Sequence, residues 1–100
     1  MKPFRYLPAA SLEEHAAAAY YLNISPRLGG GFYDYIGALL QEIQLHHATF
    51  RMFSPPYRRH FHPTGMFPFE VIYLDRPDEI LIVAIRQFRQ HPDEWKERTP

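Results

Sequence analysis

The chain has 100 residues, 46% of them hydrophobic and 16% aromatic, and its 11 basic and 11 acidic side chains cancel. That length suits one domain over residues 1–100, and the apolar share excludes wholesale disorder. The absence of cysteine excludes disulfides, thiolate nucleophiles and cysteine-rich zinc sites, and the zero net charge argues against a nonspecific nucleic-acid binder. No run approaches the roughly 20 apolar residues of a membrane span. The opening MKPFRYLPAA is unlike a signal peptide, so a cytoplasmic protein is expected.

In chain order, Phe4 to Leu7 alternates weakly and predicts a short first strand ended by Pro8. Ser11 and Glu14 have the spacing of a capping box, and Leu12, Ala16, Ala19, Tyr20 and Asn23 fall near helical spacing behind it, predicting a first helix from about Leu12 to Leu22. Ser25 before Pro26 suits the cap and first position of a second helix. In that helix Phe32, Ile36, Leu39, Leu40 and Ile43 form one apolar stripe. Gly29, Gly30 and Gly31 weaken its start and suit close approach to the first helix; they lack the lysine and the preceding strand of a phosphate-binding loop. The short connection implies an antiparallel helical hairpin.

After His47 the period becomes alternating. Thr49–Phe53 is a candidate strand closed by Pro55 and Pro56; Tyr57–His62 follows, with Tyr57, Arg59 and Phe61 on one face and Arg58, His60 and His62 on the other. Phe67–Leu74 and Glu79–Arg86 are the strongest strands, joined by the turn chemistry of Asp75 to Asp78. Pro92 starts a short terminal helix whose Trp95 is expected to pack on the sheet. The predicted fold is α+β: an N-terminal strand, an antiparallel helical hairpin, a three- to four-stranded antiparallel sheet and a short C-terminal helix.

No Asp or Glu occurs from Ile43 through Phe69, where Arg51, Arg58, Arg59 and four histidines fall, so the middle of the chain is locally basic. The His60-x-His62 pair suits zinc by type, but no carboxylate or cysteine lies nearby at ligand spacing, and no metal or cofactor is expected. Glu70, inside an apolar strand, reads as solvent-facing, with a base of raised pKa as the alternative.

Four stretches together resemble the RelE/ParE toxin superfamily, the plasmid-stabilisation toxins of type II toxin–antitoxin systems. They are Tyr20 to Leu28 with Gly29 and Phe32, the basic Tyr57-Arg58-Arg59, Phe67 to Tyr73, and Ile82 to Arg89 with Pro92 and Trp95. The resemblance implies a toxin neutralised by an antitoxin encoded nearby. Members resembling RelE cut messenger RNA on the ribosome, and members resembling ParE poison DNA gyrase. Cleavage of RNA without metal needs an acid, a base and cations around the phosphate. For a RelE-like enzyme the candidates are Arg59, Arg86 and Arg89 with His60; for binding a target or antitoxin they are Arg58, Arg59, Arg86, Arg89 and Trp95. Gln87 stands where many relatives have histidine, no tyrosine or histidine lies between Trp95 and Pro100, and the chain is neutral where relatives are often basic. These departures favour a ParE-like inhibitor over a ribonuclease, with a non-toxic antitoxin-binding scaffold as the third reading.

Overall fold

A computed structural model describes residues 1–88 and 94–98. The elements are β1 (Phe4–Tyr6), α1 (Pro8–Ile24), α2 (Pro26–His46), β2 (Met52–Ser54), β3 (Tyr57–His60), β4 (Phe69–Asp75), β5 (Ile80–Gln87) and a terminal 3-10 turn (Glu94–Arg98). The fold is α+β, with five strands in the order β1-β5-β4-β3-β2. Strands β2 to β5 run as an antiparallel meander, but β1 pairs parallel with β5, so the sheet is mixed rather than antiparallel throughout. The chain leaves β1 directly into α1, and the hydrogen bonds from Ile80 N to Pro3 O and from Leu7 N to Ile82 O fix β1 at the free edge of β5.

Helix α1 begins at Pro8, four residues before the expected start, because proline at the first helical position has no orphan N–H to satisfy. Ser11 is therefore inside the first turn and caps nothing; Glu14 instead accepts from the Tyr6 hydroxyl at 2.5 Å. The set Leu12, Ala16, Ala19, Tyr20 and Asn23 does share a face, and that face points outward, with Leu12 70% and Tyr20 64% exposed. The packed face holds Ala10, Ala17, Ala18 and Tyr21. Alanine is spread around this helix, so spacing alone does not choose between its two faces.

Helix α2 follows its sequence closely. The Ser25 hydroxyl accepts from Leu28 N at 3.1 Å, Pro26 starts the helix, and Phe32, Ile36, Leu39, Leu40 and Ile43 are all buried. Gly29 permits the close crossing with α1, since a Cβ there would run into the Leu22 side chain.

Both faces of the central strands are covered, which explains why β4 and β5 read as continuous apolar runs. On the helical face, Phe69, Val71, Tyr73, Ile82 and Ile85 meet the stripe of α2. On the opposite face, Ile72, Leu74, Leu81, Val83 and Ala84 are covered by Trp95 with Leu7, Phe53 and Tyr57. Beyond the reach of β1, the edge of β5 is closed by side chains. Ile85 N donates to Glu13 Oε1 at 3.1 Å, and Arg98, paired with Glu13 at 2.7 Å, donates to Val83 O. Blunting the edge in this way removes a template for pairing with another chain. At the far end of the sheet, Lys2 and His47 both bond Asp75, at 2.6 and 2.8 Å.

Candidate functional site

Strand alternation sends the middle of the chain to two separate clusters, one on each face of the sheet. On the face away from the helices, Arg59 of β3, Glu70 of β4 and Arg86 of β5 meet. Glu70 and Arg86 are directly opposed in register, and Arg59 is opposite Ile72, two residues along β4. Arg59 Nε is 3.4 Å from Glu70 Oε1, and Arg86 Nε is 3.9 Å from Glu70 Oε2.

Burial separates these three residues. Glu70 and Arg86 are about 5% exposed, whereas the Arg59 side chain is 35% exposed. Glu70 is not solvent-facing: it is buried, with Arg59 and Arg86 beside it. Burial raises its carboxyl above the ordinary range, and the neighbouring Arg59 and Arg86 only partly offset that. Glu70 Oε1 and Arg86 Nε accept and donate no hydrogen bond, so the pair is held by charge at distances too long for bonding. The Arg59 guanidinium lies over the rings of Phe53 and Phe61, at 5.4 and 5.0 Å, and Phe61 packs against Phe88. Arg59 is thus a half-open cation framed by aromatic rings.

On the helical face, Arg58 donates to Phe50 O at 2.8 Å and anchors the loop after α2. His60 and His62 both direct Nε2 at Glu42 Oε1 of α2, at 2.6 and 2.7 Å. A carboxylate oxygen only accepts, so each imidazole donates from Nε2. Burial holds His60 below its ordinary pKa against the pull of Glu42. Burial alone would raise Glu42, but the hydrogen bonds from His60 and His62 outweigh it and keep its carboxyl low. His60 is stacked on Phe50 at 3.7 Å between ring centroids, and His62 meets the Tyr35 ring edge-on.

The predicted site residues therefore divide. Arg59 and Arg86 do come together, but on Glu70; His60 and Arg58 lie on the opposite face; Arg89 lies outside the described residues. Arg86 and Trp95, expected to meet a target or antitoxin, are both buried in this structure, Arg86 against Glu70 and Trp95, 1% exposed, beneath Phe53 and Tyr57. Sequence reasoning missed Glu42, which lies 18 and 20 residues before the two histidines. Its position beside the buried Ile43 places it at the border of the stripe facing β3, and that was the signal available.

The fold and site define a small α+β domain with a buried Arg–Glu pair on one sheet face and a histidine–carboxylate cluster on the other. Comparison with models of known protein families gives no match, and neither does comparison with curated proteins.

Proposed function

We propose that the chain is the toxin of a type II toxin–antitoxin pair, of the ParE-like kind that binds and blocks a cellular target such as DNA gyrase and carries out no reaction itself. The resemblance read in the sequence supplies the class. The separation of the candidate catalytic groups carries the choice within it. Arg59 and His60 project to opposite faces of β3, and Arg86 is neutralised by Glu70, so these side chains do not converge on one phosphate. A RelE-like ribonuclease would need them together.

What remains suits binding. Arg59 between its aromatic neighbours is a ready partner for a carboxylate or phosphate. The exposed apolar face of α1, with Leu12, Ala16, Ala19 and Tyr20, is a surface on which an antitoxin segment can order itself. No helix among the described residues is long and apolar enough to cross a membrane.

Induced expression of the chain in a bacterial host lacking any adjacent antitoxin gene is expected to arrest growth. Normal growth with the folded protein present at high level would leave only the non-toxic scaffold.

A further inference from the structure

We propose that Glu42, His60 and His62 form a binding site for one divalent transition-metal ion, zinc being the best match to the donor set. The inference is independent of the toxin reading and uses the face of the sheet that this reading leaves idle.

The three ligand atoms are brought together by secondary structure. His60 ends β3 and His62 follows two residues later on the same face, while α2 lays Glu42 across them. One Glu42 carboxylate oxygen and one nitrogen from each histidine ring lie within 4.8 Å of one another, the one such group of His, Asp or Glu among the described residues. Tetrahedral zinc with bonds of about 2.0–2.1 Å sets its ligands about 3.3 Å apart. The present separations of 2.6 and 2.7 Å are therefore opened by shifts well under 1 Å. The ion takes the place of the two Nε2 protons that now point at the shared oxygen, and each neutral ring then carries its proton on Nδ1.

The donors are also held ready. Stacking on Phe50 fixes the plane of His60, and the Tyr35 ring borders His62. The Tyr35 hydroxyl accepts from His62 N at 3.3 Å and donates to Phe69 O at 2.9 Å, tying this corner to β4. With side-chain exposures of 12% for His60, 37% for His62 and 40% for Glu42, the site is walled on one side and open on the other. Water can fill the remaining position there. Two imidazoles and one carboxylate suit zinc and its neighbours; magnesium and calcium require an oxygen-rich shell.

The test uses the full chain without a histidine tag, titrated with zinc against a chromophoric chelator, and with cobalt(II) followed by its visible absorption. The expected result is saturation at one equivalent, a four-coordinate cobalt spectrum, and zinc affinity weakened at least about 100-fold in Glu42→Gln, His60→Ala and His62→Ala. His15→Ala, an exposed histidine on α1, is expected to leave affinity unchanged. Each variant is checked for folding by circular dichroism. If the packed His60 variant does not fold, Glu42→Gln and His62→Ala decide the matter. Absence of saturable binding by the folded parent overturns the proposal, as does affinity unchanged by Glu42→Gln and His62→Ala.

Discussion

Replacing Glu70 with methionine is expected to lower the free energy of unfolding by about 3–5 kcal/mol, because it strands the Arg86 charge inside the protein. Arg86→Met is expected to cost a similar amount, leaving Glu70 as a buried carboxylate with only the half-exposed Arg59 beside it. The double variant Glu70→Met/Arg86→Met is expected to return to within about 1 kcal/mol of the parent, since two apolar side chains of similar volume need no desolvation. The reasoning rests on the near-complete burial of both groups and on their separation of 3.9 Å, which gives charge attraction without a hydrogen bond between them. For a domain of this size the single losses are a large share of total stability, typically about 5–15 kcal/mol.

The sign of the pH effect follows from the raised carboxyl. The folded state holds the Glu70 proton more tightly than the unfolded chain, so stability falls as pH climbs through the window between the two values. Urea unfolding of the four proteins in a double-mutant cycle, repeated across the acid range, measures both effects. Single variants that each cost under about 1 kcal/mol and add without coupling would contradict the buried pair.

Trp95→Ala is expected to destabilise the fold by about 3–5 kcal/mol, the usual cost of removing a large buried aromatic ring. Trp95 is 1% exposed, packs against Tyr57 and Phe53 at 4.6 and 5.4 Å between ring centroids, and belongs to the cluster of Ile72, Leu74, Leu81 and Val83. Its removal opens the outer face of both central strands to water. Trp95→Phe, which keeps most of the apolar volume, is expected to lose much less. A urea midpoint for Trp95→Ala close to that of the parent would mean that the terminal turn does not cover the sheet in solution.

Much of this architecture is legible in the sequence, for identifiable reasons. The stripe of α2 has a single apolar face, so its packing is determined by spacing alone; Ser25 and Pro26 mark its start with a cap and a ring that only a helix beginning accommodates. The alternation of Tyr57 to His62 correctly parts Arg59 from His60. Helix α1 was harder, because its alanines occupy both faces, and Pro8 rather than Ser11 sets its start. The parallel pairing of β1 depends on which edge of the finished sheet is free, a property of the assembled fold. The two clusters were hidden for a related reason. Glu70 meets Arg86 through strand pairing, and Glu42 meets its histidines through the packing of α2 on β3, so neither contact is written in local spacing.

The central claim, that the chain inhibits by binding and not by cutting RNA, is tested most directly by adding purified protein in parallel to a gyrase supercoiling reaction and to ribosomes translating a defined messenger. Supercoiling is expected to be blocked while the transcript stays intact. Transcript cleavage with supercoiling unaffected would contradict it.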